Sequence, residues 1–391
     1  MTRVAFWRDL RMIRVMGQFL FVGAVILILG WLLNNMRIGL GDAGISISYG
    51  FLSNASGFQI NLGLNELHSR TDTYANAFWI GFLNTMRVII MGLVLSTVLG
   101  LVVGIARLSS NWLLRNLALV FIEIIQNTPL LVQLIFVYAG ILPSLPGIRN
   151  AAELPGPSYL SVKGLAIPAL NPTDSSTIWY LLALGGIVGG YMIWRARRKM
   201  RLDTGKVTYA AEIGLAIMFG VGAFTWLVMS LIGSSPFMVS LPRIQGFNYA
   251  SGEGAIIPPE LVAIIIGLTL YTGAFIAEVV RSGIQSVPHG QWEAARAQGF
   301  SYFQTLRLIV LPQALRVMIP PLTNQYLNLA KNSSLGTACG YAELFFVART
   351  MSESVPVVPV ILFVMVTYLL ISLAIAGIMN VLNSRFQLKT R

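Results

Sequence analysis

The sequence predicts an all-α membrane protein that crosses the bilayer about eight times. Of its 391 residues, 55% are hydrophobic and only 11% are charged, and the mean hydropathy is +0.72. A soluble domain carries about a quarter charged residues. The apolar residues gather in segments that approach or exceed the roughly 20 residues a helix needs to span the hydrocarbon core. These observations indicate a polytopic membrane protein.

The first apolar run extends from Gln18 to Leu33 and follows a short basic segment, residues 1–15. No small-x-small cleavage site follows the run, so we interpret it as an uncleaved span and not as a signal peptide. Residues 35–77 are predicted to form a polar external loop. Together, residues 16–391 are expected to form a single transmembrane domain. Seven further spans are predicted near residues 78–106, 115–142, 177–194, 211–232, 257–280, 313–333 and 357–384.

The distribution of basic residues predicts the orientation. With both termini in the cytoplasm, 19 of the 27 Lys and Arg residues lie inside and six lie outside. This bias agrees with the positive-inside rule, and the opposite topology violates it. The remaining two, Arg87 and Lys331, lie within spans. Residues 1–15 are therefore expected to be a cytoplasmic tail.

Several functional classes are disfavoured by composition. The net charge of +12 does not indicate nucleic-acid binding, because the basic residues lie at the ends of apolar segments and form no patch. The single cysteine, Cys339, allows no internal disulfide, and His68 and His289 lie too far apart in sequence to suggest a metal cluster. The pair Gly205-Lys206 lacks the upstream glycine of a phosphate-binding loop. We expect no catalytic residue, metal ligand or nucleotide site in this chain.

The block 143–256 contains two predicted spans between two outer loops. Both loops are rich in Pro, Gly or Ser, which predicts irregular structure. The glycine pairs Gly185-Gly186 and Gly189-Gly190 provide surfaces for close helix packing. We predict that these two spans pack outside the core and away from any pore. The basic run Arg195 to Lys206 is then expected at the inner leaflet, where anionic lipids attract it.

A short helix–turn–helix is predicted on the inner side, between two long apolar segments. Its first helix covers residues 286–298 with Pro288 in its first turn, and Gly299 fits the left-handed position just past the helix end. Ser301 and Gln304 have the spacing of a capping box that opens the second helix. We expect that second helix to stop at Pro312.

The stretch from Glu293 to Pro312 reads Glu-Ala-Ala, three residues, Gly, nine residues, Ile, one residue, Leu-Pro. It resembles the EAA loop of ABC-importer permeases. The resemblance implies a coupling helix that docks into a groove of a cytoplasmic ATPase, whereas the alternative is an ordinary amphipathic hairpin. The matching residues are Glu293, Ala294, Ala295, Gly299, Ile309, Leu311 and Pro312.

Sequences within the spans resemble the polar-amino-acid branch of the same importers. They include Asn84-Thr85-Met86-Arg87 and the run from Thr128 to Gln133. The resemblance covers roughly residues 78–142 and 257–391 and looks most like the longer permease subunit of a general L-amino-acid importer. The block 143–256 departs from the compact pattern of the family.

Polar side chains in the spans are candidates for a substrate path. An ionisable group there costs at least about 2.5–3.5 kcal/mol unless it faces protein or water. The same amides and hydroxyls could instead bond across helices. Asn324, Asn328 and Lys331 fall on one helical face, and Gln126 and Gln133 are expected to share a face of the third span. The path candidates are Arg87, Gln126, Asn127, Gln133, Asn324, Asn328 and Lys331.

Other charged residues in the spans have structural alternatives. Glu278 and Arg281 are three residues apart, so we expect an intrahelical ion pair. For Glu123, pairing within the bundle and a functional role stay equally open.

The resemblance implies a type I importer permease with a core of about five helices plus peripheral spans, in a bacterial inner membrane. It also implies a second permease subunit, identical or homologous, a cytoplasmic ATPase dimer that binds ATP and Mg, and a periplasmic amino-acid-binding protein. The alternatives are a self-contained secondary amino-acid transporter and a structural membrane protein. The former needs a coupling-ion site within inverted repeats, which this sequence does not reveal.

Overall fold

The computed structural model describes residues 10–42, 44, 48–61, 67–250 and 252–386. Residues 1–9 of the predicted basic tail lie outside this part. Among the described residues, the α-helices are α1 (Leu10–Asp42), α2 (Tyr74–Arg107), α3 (Trp112–Gln126), α4 (Leu130–Ile135), α5 (Ser176–Thr204), α6 (Ala210–Leu231), α7 (Pro259–Gln285), α8 (His289–Ala297), α9 (Tyr302–Thr305), α10 (Leu311–Asn332), α11 (Leu344–Met351) and α12 (Val357–Phe386).

The helical segments confirm the predicted polytopic architecture. Within the described residues, seven segments are long and apolar enough to cross a membrane, or eight if one bent helix pair counts as a span. Six of the seven correspond to α1, α2, α5, α6, α7 and α12. The seventh, Tyr302–Cys339, runs from α9 through α10 and the short helix that follows it.

Helix α1 is longer than the predicted first span. It continues to Asp42, so the predicted external loop begins eight residues too early. The residues from 34 to 42 contain no proline, and Met36, Ile38 and Leu40 keep them apolar enough to remain helical. Every described side chain of α1 except two is exposed in this single chain.

The third predicted span is not one helix. Helix α3 and the segment Leu130–Ser144 meet at an angle of 102°. Pro129 provides no backbone N–H at the junction. Polar side chains bond to the last carbonyls of α3 instead: Asn127 Nδ2 to Glu123 O at 2.7 Å and Thr128 Oγ1 to Ile124 O at 2.8 Å. The region 115–142, which we predicted as one span, is therefore a bent pair of helices and not one continuous helix.

The core forms where α2 packs along α7. Gly104 permits a close approach, because a methyl group in its place would lie 2.7 Å from the carbonyl oxygen of Ala277. Helix α10 packs against both α7 and α12. Near the predicted inner side, Ile276, Val280, Val310 and Met318 form one buried apolar cluster that joins α7 to α10.

The two outer loops of the block 143–256 are not irregular as predicted, because they contain paired strands. Glycines with positive φ, among them Gly156 at 78°, form the turns that the Pro- and Gly-rich composition had suggested. Four strands form an antiparallel sheet in the order β10-β5-β4-β3. The strands are β1 (Ile60–Asn61), β2 (Leu67–His68), β3 (Ala152–Leu154), β4 (Ser158–Ser161), β5 (Gly164–Ile167), β6 (Ala169–Pro172), β7 (Phe237–Ser240), β8 (Ile244–Gln245), β9 (Asn248–Tyr249) and β10 (Ala255–Ile257).

Helices α5 and α6 form a close-packed hairpin. Gly190 lies against Met218 and the Gly214 carbonyl, and Gly186 lies against Val221. Strand β6 before α5 pairs with β7 after α6, which joins the two ends of the hairpin. Of the four glycines predicted to allow close packing, Gly186 and Gly190 are used in this way, whereas Gly185 and Gly189 have no atom within 4 Å of an added methyl group. The placement of the hairpin relative to a pore stays a prediction.

Candidate coupling surface and substrate path

Helix α8 begins the loop that matches the EAA pattern, which we define as residues 286–312 and call the coupling loop. The helix covers His289–Ala297 and is shorter than the predicted 286–298. Ser286 ends α7, and Pro288 has the extended conformation of a residue that precedes a helix, with ψ at 137°. The proline therefore separates α7 from α8 and does not lie within the first turn of α8.

The turn after α8 confirms two predictions. Gly299 is left-handed, with φ at 81°, and the N–H of Phe300 reaches back to the Ala295 carbonyl at 3.1 Å. The capping box is also present. Ser301 N donates to Gln304 Oε1 at 2.8 Å, and Gln304 N donates to Ser301 Oγ at 3.3 Å.

The second helix does not stop at Pro312, contrary to our prediction. Helix α9 continues through a π-helical turn, Leu306–Val310, into α10, whose first turn contains the proline. A proline clashes with the carbonyl four residues before it in a regular helix. The wider π turn directly before Leu311 lets the chain remain helical through this position.

The motif residues divide into an exposed and a buried group. Glu293, Ala294 and Gly299 are exposed, and the Glu293 carboxylate lies 3.0 Å from His289 Nδ1. Ala295 is 1% exposed and packs inward. Ile309 and Pro312 are half-buried, whereas Leu311 remains partly exposed at 39%.

The aromatic residues of the coupling loop are functional candidates that we did not select from the sequence. Trp292 on α8 stacks on Tyr302 at the start of α9. Tyr302 and its neighbour Phe303 are about two-thirds exposed, at 68% and 67%. The sequence signal for Tyr302 and Phe303 is an aromatic pair directly after the capping serine. The loop thus presents aromatic as well as acidic groups to its surroundings.

The coupling loop is joined firmly to the spans. Val287, at its start, and Val310, near its end, are both part of the apolar cluster that contains Ile276 and Met318. This cluster therefore connects the loop to α7 and α10 at the same time. A displacement of α8 and α9 would be transmitted to both helices because the cluster is close-packed.

Helix α10 carries an exposed polar stripe. Asn324, Asn328 and Lys331 are all exposed in this chain, and they lie on one face of the helix as predicted. Val317 and Pro320 extend the same exposed face toward the coupling loop. Exposed amide and ammonium groups in a membrane span require a protein or water environment.

Two of the predicted path residues in the third span form hydrogen bonds within the chain. Gln126 Nε2 donates to the Ala274 carbonyl of α7 at 3.2 Å. Gln133 is buried and donates to the carbonyls of Ile125 and Thr128 at 2.9 and 3.0 Å. The break at Pro129 therefore places the two glutamines on different segments, and the expected shared face is wrong.

Asn127 is the exposed polar residue at this break. Its side-chain amide lies 3.2 Å from the Glu123 carboxylate, and both side chains are exposed. The structure therefore places these two groups together on the surface of the chain, whereas Gln126 and Gln133 bond inward.

Arg87 lies on α2 and is half-buried. Its Nη1 donates to Asn84 Oδ1 at 3.1 Å, and Asn84 in turn donates to the Ala342 carbonyl at 2.7 Å. The predicted ion pair within α7 is present as well, with Arg281 Nε 2.9 Å from Glu278 Oε2.

Glu343 is a fully buried carboxylate that we did not select from the sequence. It caps α11 by accepting hydrogen bonds from the N–H groups of Phe345 and Phe346 at 2.8 and 2.7 Å. The hydroxyl of Tyr368 on α12 donates to the same carboxylate at 3.0 Å. The signal in the sequence was a lone Glu directly before an apolar helix. Among the described residues, His, Cys, Asp and Glu side chains form no group of three that could hold a metal ion.

Comparison with known proteins identifies the family. Residues 96–388 match the family described as binding-protein-dependent transport system inner membrane component. YhdX of Escherichia coli, named as an amino-acid ABC transporter permease, is 39% identical over 96% of this chain and 94% of its own length. AapQ of Rhizobium johnstonii, named as a general L-amino acid transport system permease, is 35% identical over 96% of this chain and 92% of its own length.

A crystal structure of an amino acid ABC transporter with histidines is 19% identical, with a TM-score of 0.46 over 80% of this chain and 95% of that one. The family match and the two relatives confirm the resemblance inferred from the EAA pattern and decide against a self-contained secondary transporter. The chain belongs to the family of inner membrane components of binding-protein-dependent transport systems.

Proposed function

We propose that this chain is the permease subunit of an ATP-driven amino-acid importer, and that the coupling loop connects it to a separate ATPase. The proposal rests on the structure of that loop. Its helix–turn–helix exposes Glu293 and Ala294, while Val287 and Val310 fix the loop to two spans. YhdX and AapQ, which each match nearly the whole chain, are named for amino-acid transport, and this supports amino acids as cargo.

The partners follow from the family. A cytoplasmic ATPase dimer binds ATP and Mg and docks on the coupling loop, and a periplasmic binding protein delivers the amino acid. A second permease subunit, identical or homologous, completes the pore. In this arrangement both chain termini lie in the cytoplasm, because that topology places most of the basic residues inside.

The transport step uses alternating access. Closure of the ATPase dimer moves α8 and α9, and the apolar cluster of Ile276, Val310 and Met318 passes the movement to α7 and α10. Helix α10 carries Asn324, Asn328 and Lys331 on its exposed face, where the second permease subunit would enclose them with water. Several weak polar contacts suit a path, since tight binding would prevent release of the cargo.

The test is uptake by a reconstituted importer. The chain is co-purified with the ATPase and permease partners that it retains, placed in proteoliposomes that contain ATP, and supplied with binding protein and labelled amino acids. The proposal expects uptake that requires both ATP and the binding protein. Uptake driven by an ion gradient without ATP would refute it.

A further inference from the structure

Two grooves meet on the α5–α6 hairpin at the side chain of Tyr191. The first groove has a volume of about 550 Å³ and lies along α5, where Arg195, Arg198 and Lys199 line it. The second has a volume of about 350 Å³ and lies between α5 and α6, where Trp194 and Met218 are among the lining residues. One groove is therefore cationic, the other is apolar, and they share one wall.

The helix register places the cations beside the α6 contact. Trp194 and Arg197 lie on the α5 face that packs against α6, where Arg197 Nη1 donates to the Thr208 carbonyl at 2.9 Å. Arg195 and Lys199, four residues apart, lie on the neighbouring face. The hydrogen bond from Arg197 to Thr208 holds the turn between the two helices. It therefore also fixes the position of the cationic face relative to α6.

The three cations of the groove keep their charge available. Among the described residues, no carboxylate lies within ion-pair distance of Arg195, Arg198 or Lys199, although Asp203 follows one turn later on the same helix. The Arg198 guanidinium lies over the ring of Trp194, 5.4 Å from its centre. Arg198 is thereby held close to the border between the cationic and the apolar groove.

The grooves lie at the level of a membrane surface. The apolar part of α5 ends at Tyr191 and Trp194, whose rings lie 5.6 Å apart, and the basic run begins at Arg195. Tyr and Trp are enriched where the hydrocarbon core meets the headgroups. The apolar groove is therefore at acyl-chain depth and the cationic groove at headgroup depth.

We propose that these grooves form a specific site for one anionic phospholipid. The phosphate binds to Arg195, Arg198 and Lys199, and an acyl chain fills the apolar groove beside Met218. Charge complementarity selects an anionic headgroup, and the adjoining apolar groove selects a molecule with a chain over free phosphate. Under the predicted topology this site lies in the cytoplasmic leaflet, where it fixes the depth and rotation of the hairpin.

Native mass spectrometry of the full-length chain in detergent tests the site. The probes are dioleoyl phosphatidylglycerol, its short-chain dihexanoyl form, dioleoyl phosphatidylcholine and inorganic phosphate. Arg195→Gln with Lys199→Gln is compared with Arg201→Gln and Lys206→Gln, a charge-matched control pair from the same basic run that does not line the groove. Each variant is checked for an unchanged thermal unfolding midpoint.

We expect the groove pair to weaken binding of dioleoyl phosphatidylglycerol by roughly 20- to 30-fold, about fivefold per charge, and the control pair by less than twofold. Ala211→Phe, which fills the apolar groove, should weaken binding of the dioleoyl lipid but not of the dihexanoyl form. Equal loss in both charge pairs would overturn the proposal in favour of diffuse surface attraction. Full displacement of the lipid by inorganic phosphate would overturn it in favour of a simple anion site.

Discussion

Trp292 and Tyr302 stack across the turn of the coupling loop, with ring centroids 5.7 Å apart and planes 27° from parallel. The contact joins α8 to α9 on one side of the turn, and Gly299 permits the reversal between them. We therefore expect α8 and α9 to move together as one rigid unit when a partner docks on the loop. This rigidity is the basis of the first prediction.

Gly299→Pro should abolish coupled transport. Proline requires φ near −65°, whereas this position has φ of 81°, and the substitution removes the N–H that donates to the Arg296 carbonyl at 2.9 Å. Uptake and ATPase activity of the reconstituted importer are measured together, at matched amounts in the membrane. Gly290→Ala, at an exposed helical position with no atom near the new methyl group, serves as the control. Wild-type uptake by Gly299→Pro would contradict the assigned role of the loop.

Substitutions in the polar stripe of α10 should change amino-acid uptake more than they change ATPase activity. Asn324→Leu and Asn328→Leu are each expected to lower uptake several-fold and alter the range of amino acids, because both amides are exposed on the face that we propose the second permease subunit encloses. Lys331→Ala should be more severe, since it removes a cation that can offset the substrate carboxylate. ATPase stimulation by the loaded binding protein should persist in all three. Unchanged uptake and substrate range in the asparagine variants would show that these amides only pack against a neighbouring helix.

We expect a different effect from substitutions of Gln126 and Gln133, two of the predicted path residues. Both amides bond to backbone carbonyls inside the chain, so their substitution should first disturb the break in the third span. The sequence could not reveal this because a helical register was assumed through Pro129. Once the helix breaks, a shared helical face no longer exists.

Glu343→Ala should destabilise the protein strongly. It leaves the N–H groups of Phe345 and Phe346 and the Tyr368 hydroxyl without their shared buried acceptor. An unpaired buried polar group costs about 1–3 kcal/mol, so the loss should reach roughly 3 kcal/mol or more. Thermal unfolding in detergent gives the measurement.

Two control variants separate the network from general effects of mutation. Tyr368→Phe removes one hydrogen bond of the same carboxylate and should cost about 1 kcal/mol. Glu353→Ala removes an exposed carboxylate and should leave the unfolding midpoint unchanged. A Glu343→Ala midpoint close to that of Glu353→Ala would contradict the structural role of the buried acid.

Acidification should loosen the segment before α2. His68 is fully buried, and its Nε2 lies 2.6 Å from Ser56 Oγ. Burial lowers the pKa of His68 from its ordinary value of 6.5, and the nearby Asp72 carboxylate only partly opposes the shift. The folded segment therefore favours the neutral ring, and its stability falls as the pH drops below about 6.5, where the unfolded chain takes up the proton more readily.

Hydrogen exchange of residues 52–74 at pH 8 and pH 5.5 tests whether the stability of the segment falls as the pH is lowered. Exchange opening should become more favourable at the lower pH in the wild type, after correction for the intrinsic exchange rate. His68→Gln removes the titrating ring and should abolish the pH dependence. Faster corrected opening at pH 8 than at pH 5.5 would contradict the prediction.

Much of the fold could be predicted because bilayer physics constrains it. Long apolar segments located most of the spans, and local rules located Gly299 and the Ser301–Gln304 capping box. What escaped depends on contacts distant in sequence or on irregular helices. The π turn that accommodates Pro312 and the burial of Glu343 against Tyr368 both arise from packing that a local pattern does not encode.

The outer strands show a related limit. Composition predicted irregular loops, and it could not show that Ala255–Ile257 pairs with Gly164–Ile167 across roughly 90 residues of chain. The intervening α5–α6 hairpin returns the chain to the same side, and only then can the sheet form.

Cross-linking between the coupling loop and the ATPase tests the central claim most directly. Ala294 is exposed on α8, and Cys339, the single native cysteine, is buried. In a Cys339→Ser background, Ala294→Cys is paired with cysteines placed in the surface groove of the co-purified ATPase, and Gly185→Cys, on the α5–α6 hairpin, is the control position. We expect a disulfide from Ala294→Cys to the ATPase whose yield changes when ATP binds, and none from Gly185→Cys. Failure of Ala294→Cys to cross-link in an assembled, transport-active importer would contradict it.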